Sequence, residues 1–287
     1  MAKKYPIELI SVDSVMVYKD CNIGSAKPCK NILEKHHHHL VDIVTPDKVF
    51  TVADFYKHSI KIIEEIHNKN KLPVFVGGSM MYFKSLYTGI NDLPERDQKF
   101  RDSMIKLKFD SEDFFLHKKL NQIDPDYANK INKNDEVRVI RALEVYKKTG
   151  KKMSEIFSDD TKNNLSDKFN VVQYCISVDR DILHTRIEAR LKKIIEQGLV
   201  DEAKNILNKY NIDLDHPLRK SVNYKQAFDY IEKKYDHDTF FKKALYATRQ
   251  LAKRQTTWIR SWDKFKEIEL NKFSMLENDI KKLITAL

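Results

Sequence analysis

Residues 72–89 read "LPVFVGGSMMYFKSLYTG". Pro73 to Val76 is a short, wholly apolar run, Gly77-Gly78 is a tight turn, and Ser79 to Thr88 carries helical spacing. Such a run suits a parallel strand, which is buried on both faces and need not alternate. Upstream, Ile7 to Val12 reads as another short buried strand. Residues 50–71 read as an amphipathic helix: Ala53, Ile60, Ile63 and Ile66 recur near helical spacing, with Asp54 in the first turn. Strand, helix, strand, glycine turn and helix is the alternation of a parallel α/β sheet.

The character changes after "INDLPERD" (90–97). From there to residue 168 the chain is rich in Lys and Asp, shows helical periodicity and offers no convincing strand, so residues 94–168 read as a helical insertion. Residues 169–179 (FNVVQYCISVD) read as a strand returning to the sheet, and 181–209, 222–234 and 238–261 as helices. The expected organisation is an α/β core in two parts, 1–93 and 169–287, split by the insertion.

The 287 residues carry 52 Lys+Arg against 42 Asp+Glu, a net charge of +10. That balance suits a polyanion, nucleic acid before an anionic membrane surface. Cys21, Cys29 and Cys175 stand far apart, with neither a CxxC pair nor zinc spacing, which fits a reducing cytoplasm. No apolar run approaches the ~18 residues of a membrane span, and "MAKKYPIEL" lacks a signal-peptide apolar region.

Ligands of open α/β sheets sit beyond the carboxyl ends of the strands. Asp13 follows the first strand there, and Gly77-Gly78-Ser79 follows another. Adjacent glycines let backbone N–H groups approach an anion, and the next helix adds positive field. A plain tight turn and a capping Asp fit the spacing equally well. His36 to His39 cannot all reach one metal from a regular element; a loop in which one or two of them cap local backbone is the better reading. In "ATRQLAKRQTTWIRSW" (247–262), Arg249, Lys253 and Arg260 fall near one helical face beside Arg254. That face reads as RNA-binding, and Trp258 and Trp262, one turn apart, as core. Arg138 and Arg141 make a smaller basic cluster.

Seven stretches in order then identify a resemblance covering nearly the whole chain: "LISVDSVMVYKDCNIGSAKP" (9–28), "HHLVDI" (38–43), "ADFY" (53–56), "PVFVGGSMMYF" (73–83), "IRALEVY" (140–146), "SVNYKQ" (221–226) and "ATRQLAKRQTTWIR" (247–260). The chain resembles the bacterial tRNA dimethylallyltransferase (IPP transferase) family. The resemblance implies a P-loop-NTPase-like α/β core and an insertion gripping the tRNA anticodon stem-loop. It implies a cytoplasmic, monomeric enzyme that binds no membrane, with dimethylallyl diphosphate as co-substrate and Mg²⁺ as cofactor. The implied reaction is attack by N6 of a flipped-out adenosine 37 on C1 of dimethylallyl diphosphate, with Asp13 as the catalytic carboxylate. Asp13, Ser14, Val15 and Met16 match the loop at the target base. Gly77, Gly78 and Ser79 match the diphosphate side, Ser79 also facing the tRNA. The implied tRNA contacts continue through Arg101, through Val137, Arg138, Val139, Ile140 and Arg141, and through Lys220, Ser221, Val222, Asn223, Tyr224 and Lys225. They end with Lys253, Arg254, Gln255, Thr256, Thr257, Trp258, Ile259 and Arg260.

The family begins with a strand and a phosphate loop about twenty residues before this Asp; here Asp13 is the thirteenth residue, and no GxxxxGK[ST] occurs anywhere. The expectation is an N-terminally truncated chain, without the first strand and the phosphate loop, of weak or no activity. Smaller departures are His37 where the family commonly has Pro and Asn223 where it has Gly, a residue that tolerates left-handed backbone. Two alternatives remain open: a catalytically inactive RNA-binding relic of the same fold, and a related nucleotide kinase, which needs the phosphate loop even more.

Overall fold

A computed structural model describes residues 1–109, 111–158, 165–262, 264–270 and 272–287. In chain order the main elements are β1 (Ile7–Val12), β2 (His38–His39), α1 (Val52–His67), β3 (Leu72–Gly77), α2 (Met80–Thr88), α3 (Gln98–Phe109), α4 (Phe115–Ile123) and α5 (Glu136–Thr149). There follow β4 (Tyr174–Ser177), α6 (Arg180–Glu196), α7 (Leu199–Lys209), α8 (Tyr224–Ile231), α9 (His237–Arg260), β5 (Lys266–Glu269) and α10 (Ser274–Thr285), with short helical turns between some of them. The chain divides into two compact units, Met1–Tyr87 with Lys168–Leu287, and Thr88–Asp167.

In the first unit β1 lies between β2 and β3, all parallel. Ile7 pairs with Leu72 and Val12 with Gly77, so Asp13 and Gly78 leave the sheet side by side. The helix between β1 and β3 starts where its sequence says it should. Thr51 Oγ1 accepts from the Asp54 amide and the Asp54 carboxylate accepts from the Thr51 amide, a reciprocal cap. Its Phe55, Ile63 and Ile66 are buried on one face. Phe55 and Ile66 join Ile10, Val12, Tyr18, Tyr82, Leu191, Phe228 and Phe240 in one core.

Three expectations need correction. Residues 169–179 do not rejoin the first sheet: only Tyr174–Ser177 is a strand, and it pairs in parallel with β5 as a separate two-stranded sheet. The sequence hid β5 because "KEIE" buries a single residue, Ile268, and gives no periodic signal. β3 is not covered on both faces. It stands at the edge of its sheet, and Val76 is 54% exposed. The helix read over 181–209 is broken: Gly198, at φ +99°, turns the chain between α6 and α7.

The second unit holds its own core of Phe100, Met104, Leu116, Leu120, Val139, Ile140, Leu143 and Val145. Glu144, whose side chain is fully buried, lies within that unit. Its Oε1 accepts from Arg101 Nε (2.9 Å) and the Asp97 amide (2.7 Å), and its Oε2 from Arg101 and from Arg141 (2.5 Å). Burial alone would raise its pKa. The hydrogen bonds from Arg101 and Arg141 outweigh burial and hold it at about 2.

Candidate active site and RNA-facing surface

β1 delivers Asp13 to a sharp turn in which its Oδ1 accepts from the amides of Val15 (2.8 Å) and Met16 (3.0 Å). The capping role is therefore real, and it fixes the carboxylate. Oδ2 has no hydrogen-bond partner among the described residues, so one oxygen is anchored and the other is available. Asp13 is partly exposed, open enough for a ligand to reach.

The glycine loop is stitched to this turn. Val12 O accepts from the amides of Gly78 (3.2 Å) and Ser79 (3.1 Å), and the Ser14 amide donates to Ser79 Oγ (3.1 Å). A Cβ on Gly77 would sit 2.2 Å from Val12 O, which is why glycine is needed there. This corrects part of the sequence reading. The N–H groups of Gly78 and Ser79 are spent on Val12 O and do not cradle an anion. What the loop offers is the Ser79 hydroxyl, whose own proton is free to donate, at the start of α2. Gly77→Ala should destabilise the protein by about 3 kcal/mol, because the clash is with backbone that cannot yield. A urea melt measures it, and an unchanged midpoint would mean the two loops are not stitched in this way.

α9 closes on the same loop: Gln255 Nε2 donates to Gly78 O (2.9 Å). Its neighbours Lys253, Arg254, Thr256, Thr257 and Arg260 are exposed. Trp258 and Trp262 are half-buried rather than core. Trp262 donates from Nε1 to Gln173 Oε1 (2.9 Å) and packs near Tyr87, so a polar anchor rather than full burial holds it. Arg249, assigned by spacing to the basic face, faces Glu188 of α6 at 3.3 Å instead.

Contiguous blocks of expected contact residues split by face. Val139 and Ile140 are buried in the helical unit's core, leaving Val137 (64% exposed) and Arg138 outward. Arg141 also donates to Pro94 O (2.8 Å), and both it and Arg101 are committed to Glu144, so their first task is structural. In the 220–225 segment, Lys220 is exposed and Lys225 pairs with Asp229. Tyr224 is fully buried, and burial raises its phenol pKa. Asn223 takes φ +71° and donates from Nδ2 to Gly24 O (2.9 Å).

Sequence reasoning missed the residue that organises this neighbourhood. Glu202, in the first turn of α7, accepts from the amides of Asn22 (2.9 Å), Ile23 (2.8 Å) and Gly24 (3.0 Å) and from the Tyr224 hydroxyl (2.6 Å). Three successive amides form a concavity of the kind that binds anions, here filled by the protein's own carboxylate. Nothing in the sequence separates Glu202 from the other acidic residues of that helix. Cys21, beside it, is buried and its thiol is pushed up to about 12, so it is no nucleophile.

The histidine run is not wholly the loop expected of it, because His38–His39 form β2 and pair with β1. His38 Nδ1 lies 2.6 Å from His36 O and His39 Nε2 lies 2.7 Å from Glu8 Oε2. Among the described residues no group of three or more His, Cys, Asp or Glu is placed to hold a metal. No helix there is long and apolar enough to cross a membrane.

The sequence profile described as "IPP transferase" matches residues 16–262. A tRNA dimethylallyltransferase of Francisella tularensis subsp. tularensis is 40% identical over 283 residues, covering 99% of this chain and 90% of that protein. One from Francisella philomiragia is 40% identical over 262 residues, covering 91% and 85%. Among solved structures, the full-length tRNA isopentenylpyrophosphate transferase of Bacillus halodurans superposes with a TM-score of 0.66 at 30% identity, covering 99% of this chain and 88% of that one. A eukaryotic dimethylallyltransferase acting on tRNA gives 0.78 at 26% identity, with 99% and 73% covered.

Proposed function

Since the chain belongs to the IPP transferase family, we propose that it transfers a dimethylallyl group from dimethylallyl diphosphate to N6 of adenosine 37 in tRNA. The observation that carries the proposal is the anchored and half-free Asp13 carboxylate beside the Ser79 hydroxyl. An adenine amine is a weak nucleophile until its proton is drawn off. N6 attacks C1, a C–N bond forms, and the C1–O bond breaks with its electron pair leaving on diphosphate. The N6 proton goes to Asp13 Oδ2. Oδ1 stays tied to Val15 and Met16, so the carboxylate need not reorganise. The target base must leave its stack to reach this turn.

Ser79 donates to the diphosphate and the amino end of α2 adds positive field. If Mg²⁺ enters with the diphosphate, the Ser79 hydroxyl would be the protein group to hold it, and the ion would supply charge neutralisation of the leaving group. Lys253, Arg254 and Arg260 hold phosphates of the RNA, Lys220 adds a further cation, and the helical unit of residues 94–168 presents Arg138 to the anticodon stem-loop. We read the protein as a cytoplasmic monomer.

The test is incubation with an unmodified anticodon stem-loop, dimethylallyl diphosphate and Mg²⁺, followed by mass spectrometry of the RNA. The Asp13→Asn variant is run beside it. A prenylated adenosine that accumulates with the parent and not with the variant supports the proposal. RNA binding without product from either favours the inactive RNA-binding alternative.

A further inference from the structure

Resting on that reading of α9 as an RNA face, we infer that the face extends three turns further towards the helix start, to Lys242 and Tyr246, where Tyr246 stacks on an unpaired nucleobase of the bound RNA strand.

From Thr239 to Arg260 the helix contains Lys242, Lys243, Arg249, Lys253, Arg254 and Arg260 and no acidic residue. Other helices of this unit pair their cations locally. Lys61 meets Glu65 at 3.9 Å in α1, Lys192 meets Glu188 at 3.1 Å in α6, and Lys225 meets Asp229 at 2.6 Å in α8. In α9, among the described residues, only Arg249 has such a partner, Glu188 of α6, while Lys243 lies over the Tyr235 ring at 5.6 Å. Lys242, Lys253, Arg254 and Arg260 have no carboxylate within ion-pair distance among the described residues. A merely solvated helix gains from pairing its lysines with acids one turn away. A stripe without acids suits a polyanion.

Tyr246 sits inside that stripe. Lys242, Tyr246, Lys253 and Arg260 follow one another at intervals of four, seven and seven residues and so share a face. The Tyr246 side chain is 66% exposed and packs on no other ring among the described residues. An exposed aromatic between cations is the arrangement that stacks bases while phosphates are neutralised beside it. The distance is set by the helix. Tyr246 precedes Gln255, which touches the glycine loop of the site, by nine residues. At ~1.5 Å per residue that is about 14 Å.

The experiment measures binding of the full chain to an unmodified anticodon stem-loop at two salt concentrations, for the parent, Tyr246→Ala, Tyr246→Phe, Lys242→Ala and the pair Lys253→Ala/Arg254→Ala. All are surface changes, and circular dichroism verifies the fold. Tyr246→Ala should weaken binding about tenfold, as expected for a lost base stack, and Tyr246→Phe should not. Lys242→Ala should weaken binding and lower the slope of log affinity against log salt by about one phosphate. If Tyr246→Ala and Lys242→Ala bind like the parent while the Lys253/Arg254 pair does not, the inference falls and the reading of α9 stands. If none of the variants weakens binding, both fall.

Discussion

Asp13→Asn should lower the single-turnover rate of prenyl transfer by roughly 10²–10⁴-fold, the usual worth of a positioned general base. RNA affinity should hardly change. The variant isolates one oxygen. An Asn side-chain carbonyl still accepts from the Val15 and Met16 amides, so the turn that follows β1 keeps its shape. What is lost is a group able to take the N6 proton at Oδ2. A rate loss together with weaker RNA binding would mean that Asp13 organises the RNA-facing loop instead. An unchanged rate would remove it from the chemistry. Rapid-quench assays with saturating RNA separate these outcomes.

Glu144→Ala should destabilise the helical unit by about 3–5 kcal/mol, the cost of breaking a buried pair from one side. The carboxylate is fully buried and holds two guanidiniums, Arg101 and Arg141, together with the Asp97 amide. Removing it leaves two guanidiniums side by side without their carboxylate. Hydrogen exchange resolved by peptide should show faster exchange across residues 98–149. Protection there equal to the parent's would refute it. The pH dependence has a definite sign. The carboxyl of Glu144 is held at about 2 against an ordinary 4.5. Its contribution is full above the unfolded value and is lost as pH falls from about 4.5 to about 2. Glu8 is also held at about 2, its burial outweighed by hydrogen bonds from Lys71 and His39, and it adds loss in the same window. Acid titration of the Glu144→Gln variant should therefore show a shallower fall over that range.

How far these features were legible depends on their range in sequence. β1, α1, β3 and α2 were readable because each announces itself locally. The announcements are an apolar run, a cap at Thr51 and Asp54, and a glycine pair that only glycine can fill at Gly77. The pairing of β4 with β5 was not, because it joins two four-residue strands across some ninety residues and leaves no periodic trace. The site was legible as a set of blocks and illegible as a set of faces. Val137 to Arg141 sweeps more than a full helical turn, so it cannot meet one partner as a unit, and Val139 and Ile140 turn inward. Arg101 reads as a free cation in sequence because its acceptor, Glu144, lies forty-three residues away. Asn223 was legible as a left-handed substitute for glycine and takes φ +71°. Glu202 was not legible, since an acidic residue in a first helical turn is ordinary and its three amide partners come from a loop some 180 residues earlier.

The most direct test of the central claim is the site of the new bond. Two stem-loops that differ only at the target position, adenosine in one and inosine in the other, would be incubated with the protein, dimethylallyl diphosphate and Mg²⁺. They would then be digested to nucleosides and analysed by tandem mass spectrometry. A carboxylate that draws a proton from an exocyclic amine predicts dimethylallyl on N6 of the adenosine and no product with inosine, which has no such amine. Product on inosine, or a prenyl group at any other atom of the adenosine, would contradict it.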